Sequence, residues 1–241
     1  MSGERSPLTA LAAGTSFPIG PPGDLDNPGL IVEHDWAAFA GLDRMVDHWA
    51  RPDWAQGQHH FYWLITGFGS PLLASRTAEC QAQLDHLGMD PIPADGLHIT
   101  VVKVGSSSQI GPSLLDRLGE AAAGLAVKPF HLLAHPLAGS RGAVRYTLTP
   151  WKPLVALHAA LADLGQRIGV PGGPPTSDYR PHLGVAYNPR PRPATPVVDA
   201  VRELRHTSAV PLFVTSVDLV QISRKGAAYR WDVIKTVPLI G

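Results

Sequence analysis

Polar and apolar positions alternate along Gly96-Leu97-His98-Ile99-Thr100-Val101-Val102-Lys103-Val104 and again, more loosely, along Pro181-His182-Leu183-Gly184-Val185-Ala186-Tyr187. On a strand, successive side chains point to opposite faces, so the apolar residues go to the core while His98 and Thr100 share the other face. His182 and Gly184 are related in the same way. Each strand therefore offers one imidazole to an exposed groove, and two such strands side by side would present both imidazoles to one small substrate.

The remaining pattern supplies the surroundings. Residues 61–66, Phe61-Tyr62-Trp63-Leu64-Ile65-Thr66, form an aromatic and β-branched run closed by Gly67 and Gly69, which predicts the first core strand. Three- and four-residue recurrence predicts helices over 70–87, 113–125, 152–168 and 195–206, and one or two short helices over 35–50 that Pro52 stops. Residues 130–137 and 144–148 read as a hairpin across Gly139 and Gly142, and 213–223 with 229–237 as a second strand pair. Strand, helix, strand, helix, strand, strand is followed by a looser second round, with the two histidine strands in equivalent places. That layout predicts an α+β chain of two related halves, residues 59–241, preceded by an extension over 1–58 that carries short helices. Residues 1–26 are rich in proline, glycine and small side chains, which predicts a loosely held start without chemistry of its own.

Composition narrows the classes. The 241 residues are 44% hydrophobic and 17% charged, with 20 Lys+Arg against 20 Asp+Glu, an ordinary globular balance that argues against coating long duplex nucleic acid. A single cysteine, Cys80, rules out an internal disulfide and a cysteine-based zinc site and fits a reducing, cytoplasmic setting. No stretch is apolar enough to cross a bilayer and residues 1–20 lack a signal-peptide pattern, so a soluble protein that is not exported is expected; a monomer is the expected state. The neighbours His59-His60 and the pair His131 and His135 lack a carboxylate at ligand spacing, and no phosphate-cradling glycine loop is present, so neither a metal nor an ATP-type cofactor is expected.

His98-Ile99-Thr100-Val101 and Arg180-Pro181-His182-Leu183-Gly184-Val185-Ala186-Tyr187 together resemble the two-histidine (2H) phosphoesterase superfamily, in particular 2′-5′ RNA ligase family proteins of actinobacterial type. Their hallmark is a repeated His-apolar-Thr/Ser-apolar motif. Asp47-His48-Trp49, Arg51-Pro52-Asp53-Trp54, Ser223-Arg224 and Tyr229-Arg230-Trp231 are similar to flanking segments of such proteins. The resemblance implies a bilobal fold, two antiparallel sheets lining a central groove with helices outside. It further implies metal-independent hydrolysis or ligation of a 2′,3′-cyclic phosphate or a 2′-5′-linked nucleotide or RNA end. In that chemistry His98 and His182 share general acid and base roles, and Thr100 holds a nonbridging phosphate oxygen.

The second motif departs at Gly184, where a Thr or Ser is expected. Either the missing hydroxyl leaves a nucleotide or RNA-end binding module without turnover, or Gly184 makes room for a bulkier substrate, a water, or a donor from Tyr62, Tyr179 or Arg224. A groove recruited for a non-phosphate biosynthetic reaction would use the same histidines. Arg224 and Lys103 carry the charge that suits phosphate. Of Tyr62 and Trp63, one faces the groove and the other the core.

Overall fold

The computed structural model describes residues 17–51, 54–55 and 57–241. Its helices are α1 (Pro28–Ala40), α2 (Pro71–Leu84), α3 (Pro112–Ala122), α4 (Lys152–Ile168) and α5 (Thr195–Leu204). Each carries a proline in its first turn, where the missing N–H costs no helical hydrogen bond. Asn27 and Ser70 cap α1 and α2 by accepting from the Leu30 and Leu73 amides. Gly169 ends α4 in the left-handed region at φ 92°, where glycine alone is unstrained.

The strands are β1 (Arg44–Met45), β2 (His59–Ile65), β3 (Asp90–Pro91), β4 (Ile99–Ser106), β5 (Phe130–Ser140), β6 (Ala143–Thr149), β7 (His182–Tyr187), β8 (Arg192–Pro193), β9 (Val210–Val214), β10 (Ser216–Lys225) and β11 (Ala228–Pro238). One antiparallel sheet runs β11-β10-β2-β4-β7-β6-β5-β9, with β3 on the free flank of β7 and β1 paired with β8 separately. Its two four-stranded halves meet through a single register pair, Ile99 opposite Leu183. Beyond that pair β4 leaves β7, whose last residues, Ala186 and Tyr187, pair with β3 instead. The opening between the halves is the central groove of the expected α+β architecture.

Residues opposite one another in an antiparallel ladder share a face. Tyr146, opposite Leu183, meets Thr77 of α2 on the outer side, where α2 to α5 pack. Arg145 and Thr147, opposite Gly184 and His182, point into the groove, and both bond the buried Asp35 of α1, at 2.7 and 2.9 Å. So α1 lies on the inner face of the second half. Phe39 of the same helix is seated on Gly139, where a Cβ would overlap its ring. The Asp35–Arg145 pair is 1% exposed on both sides, and taking away either partner of such a pair costs about 3–5 kcal/mol because the other charge is left buried.

Several expectations are corrected. The helical pattern over 35–50 ends at Gly41, and residues 42–51 form β1 and a loop whose Met45, Trp49 and His48 are buried one by one rather than along a helical stripe. The run 213–223 is two strands, because at Thr215 the chain leaves the edge of the second half, where β9 pairs β5, and returns to the first, where β10 pairs β2. Hence β5 and β6 belong in space with β7, and β10 and β11 with β4, so the halves are not successive blocks of chain. Residues 17–26 are not loose: the Arg180 guanidinium donates to the Pro18 and Ile19 carbonyls, His34 bonds the Gly20 carbonyl, and the Trp151 amide donates to the Leu25 carbonyl. Residues 1–16 and the expected stop at Pro52 lie outside the described residues. Among those described, no helix is long and apolar enough to cross a membrane.

Candidate active site

His98 stands immediately before β4 and His182 opens β7, so the central register pair brings the two motifs face to face. The antiparallel sense about Ile99 and Leu183 sets His98 across from Gly184 and Thr100 across from His182. All four residues line one cavity of about 190 Å³, together with Phe17, His48, Arg51, Trp54, Tyr62, Ser140, Ala143, Tyr187, Ile222 and Tyr229.

The two rings are held alike. Nδ1 of His98 bonds the Gly96 carbonyl and Nδ1 of His182 the Arg180 carbonyl, both at 2.8 Å and both two residues upstream. A carbonyl only accepts, so Nδ1 carries the proton in each neutral ring and Nε2 keeps its lone pair for the cavity. Burial lowers the pKa of both. His182 falls to about 4, with the Arg145 charge the next cause, while His98 is lowered by burial and partly held up by its bond to Gly96. Both imidazoles are therefore neutral at pH 7 until a bound negative charge draws a proton onto one of them.

Around them lie a cation and aromatic walls. Among the described residues lining the cavity, Arg51 carries a permanent charge and none is a carboxylate. Among the described residues, no group of three or more His, Cys, Asp or Glu could hold a metal ion. Phe17 covers His182 with ring centroids 4.8 Å apart and lies over the Arg145 guanidinium at 5.2 Å. A third histidine, His48, stacks on Tyr187 at 4.0 Å and bonds the Tyr229 hydroxyl at 2.9 Å. Burial first, then neighbouring charges led by Arg51, push its pKa down to about 2, so it is neutral throughout the physiological range.

Of the residues singled out from sequence, His98, Thr100, His182, Gly184 and Tyr62 converge, with Tyr62 toward the groove and Trp63 1% exposed in the core. Tyr179 and Arg224 do not line the cavity. The Tyr179 hydroxyl donates to the Thr100 carbonyl at 3.1 Å, bracing the motif strand from behind. Arg224 is turned onto the Gly226 and Trp49 carbonyls and over the Trp49 ring. Lys103 lines a separate cavity of about 460 Å³ under α4 and residues 170–176. Sequence reasoning missed Phe17, His48, Arg51, Trp54, Tyr187 and Tyr229 as cavity residues. Four of them lie in segments similar to the family's flanking motifs and Tyr187 closes the second motif, but no local periodicity marks any of the six for a distant groove.

A curled antiparallel sheet with α2 to α5 outside and a histidine at the start of each central strand is the two-histidine phosphoesterase architecture. Residues 71–226 match the family model of the 2′-5′ RNA ligase superfamily, and the chain belongs to that family. Among solved structures it is similar to Escherichia coli LigT in its apo form (TM-score 0.57, 15% identity, covering 78% of this chain and 100% of LigT). It is likewise similar to LigT complexed with 3′-AMP (0.56, 16%, covering 78% and 100%). A Thermus thermophilus protein, TT0787, is comparable (0.56, 14%, covering 76% and 98%). At such identities the likeness is one of fold. No curated protein sequence matches the chain.

Proposed function

We propose that the protein is a metal-independent phosphodiesterase of the cytoplasm, acting as a monomer without a cofactor on a 2′,3′-cyclic phosphate or a 2′-5′-linked nucleotide or RNA end. The observation that carries this reading is the matched pair of imidazoles, each with Nδ1 tied to its own backbone and Nε2 left for one shared cavity. Arg51, with no carboxylate among the described lining residues, suits an anion, and the 3′-AMP bound to LigT is a ribose phosphomonoester of the kind that opening a 2′,3′-cyclic phosphate releases.

For a cyclic phosphate, one Nε2 takes a proton from water as the water oxygen bonds to phosphorus. The ester bond to the ribose oxygen breaks, and the other ring, protonated on Nε2, gives its proton to that oxygen. The Arg145 charge beside His182 disfavours imidazolium there and has no counterpart among the causes acting on His98. His98 is thus the ring that more readily holds the proton to be donated, and His182 the one that stays neutral to accept a proton. Thr100, one strand position on from the central pair, would hold a nonbridging oxygen. At about 190 Å³ the cavity is smaller than the roughly 300–1,000 Å³ of whole-ligand pockets, so it suits the phosphate and adjoining ribose, with the base reaching outward.

The test is hydrolysis of a panel of 2′,3′-cyclic nucleotides and short 2′-5′ oligonucleotides in the presence of a chelator. His98→Ala and His182→Ala should each reduce turnover at least a hundredfold, roughly the lower bound for loss of a general acid or base. Parent-like rates in His98→Ala refute the reading. Tight binding without turnover by the parent would point to a nucleotide-binding module.

A further inference from the structure

The second motif lacks its hydroxyl, yet the space is not empty. An ideal Cβ on Gly184 would stand 2.6 Å from Cδ1 of Ile92 and 3.9 Å from the hydroxyl of Tyr187. Strict alternation would turn Tyr187, five residues after His182, to the outer face. The ladder with β6 departs from strict alternation: Arg145 faces Gly184, but the next pair is Val144 with Ala186, leaving Val185 as an extra residue. A bulge of this kind re-aims the side chains that follow it. Tyr187 consequently faces Ala143, and both line the histidine cavity.

We propose that the Tyr187 hydroxyl replaces the missing Thr/Ser of the second motif, donating to a nonbridging phosphate oxygen opposite the one held by Thr100. The assignment rests on the phosphodiesterase reading above. Among the described residues the Tyr187 hydroxyl makes no hydrogen bond within the protein, whereas that of Tyr229 is engaged by His48 and that of Tyr179 by the Thr100 carbonyl. The ring is pinned by the stack on His48 and by edge contacts to Trp49 at 5.0 Å and Tyr229 at 5.5 Å, so the donor is already oriented before substrate arrives. Burial raises its pKa, which keeps the hydroxyl a donor at any physiological pH. Glycine suits the arrangement, since a Cβ at position 184 would meet the terminal Cδ1 of Ile92 unless that side chain shifted.

The experiment uses the full chain and the best substrate from the panel, with phosphorothioate versions of each diastereomer. Tyr187→Phe should lower kcat roughly a hundredfold to a thousandfold with little change in KM and an unchanged denaturation midpoint, since no bond within the protein is lost. It should also erase the parent's preference between the two phosphorothioates, which a merely structural residue would not affect. Returning a hydroxyl from the other side, in Tyr187→Phe/Gly184→Ser/Ile92→Val, should recover roughly tenfold or more of the lost rate. A Tyr187→Phe enzyme with the parent's kcat and diastereomer preference overturns the assignment alone. A parent that hydrolyses nothing in the panel overturns the phosphodiesterase reading and the role of Tyr187 with it.

Discussion

Gly184 invites the substitution that the motif suggests, and the surrounding atoms determine what that substitution costs. In Gly184→Ala the new methyl would lie 2.6 Å from Cδ1 of Ile92, itself 4% exposed and held in the core. Overpacking of this kind costs about 1–3 kcal/mol, offset by about 0.4–1 kcal/mol because alanine narrows the unfolded ensemble at a position whose φ is not left-handed. A net loss of up to about 2.6 kcal/mol is expected. Ile92→Val removes the one offending methyl and by itself costs about 0.5–1.5 kcal/mol. In the double variant the clash is gone while the narrowed unfolded ensemble remains, so its loss should be about 0.4–1 kcal/mol smaller than that of Ile92→Val alone, a favourable coupling of about 1–3 kcal/mol. Urea denaturation of the four proteins gives the cycle directly. In thermal melts each kcal/mol corresponds to about 2–4 °C for a chain of this size. Losses that add to within about 0.5 kcal/mol would refute the account of why glycine stands there.

Two more outcomes follow from the buried imidazoles. His48 and His182 have folded pKa values of about 2 and about 4 against 6.5 when free, and His98 is also lowered, so below pH 6.5 the unfolded chain takes up protons that the folded chain refuses. Stability should therefore fall as pH drops from 6.5 toward 4, by up to about 1.4 kcal/mol per pH unit for each histidine, and His48→Gln should make the slope shallower. Denaturant midpoints at about pH 7, 6, 5 and 4.5 read it, and an equal slope in the variant contradicts the assignment. Phe17 supplies part of the cover over His182, and burial is the largest cause of that ring's lowered pKa. Phe17→Ala should move the His182 titration upward toward 6.5, followed by NMR of the ring protons. An unmoved titration means that Phe17 does not seal the site in solution.

Local pattern was enough for the histidine strands, four of the five helices and the aromatic strand beside the groove, because each depends on residues a few positions apart. Alternation put His98 with Thr100 and His182 with Gly184, and α4 falls where its apolar recurrence predicts. The helix expected over 35–50 failed because recurrence at three and four residues also arises when a loop buries Met45 and Trp49 singly. Thr215 carries no local mark of a strand changing halves, since the change is decided by which edges are free to pair.

The sequence by itself determined that two imidazoles would sit on two equivalent strands, each beside a small residue, because a strand's period of two needs no knowledge of the rest of the chain. Only the tertiary structure decided that they share one cavity, that Phe17, His48 and Arg51 arrive from the N-terminal segment to wall it, and that one extra residue at Val185 swings Tyr187 into the place beside Gly184. Such facts depend on register and on contacts between residues far apart in the chain, and a single chain read in order carries no local signal for either.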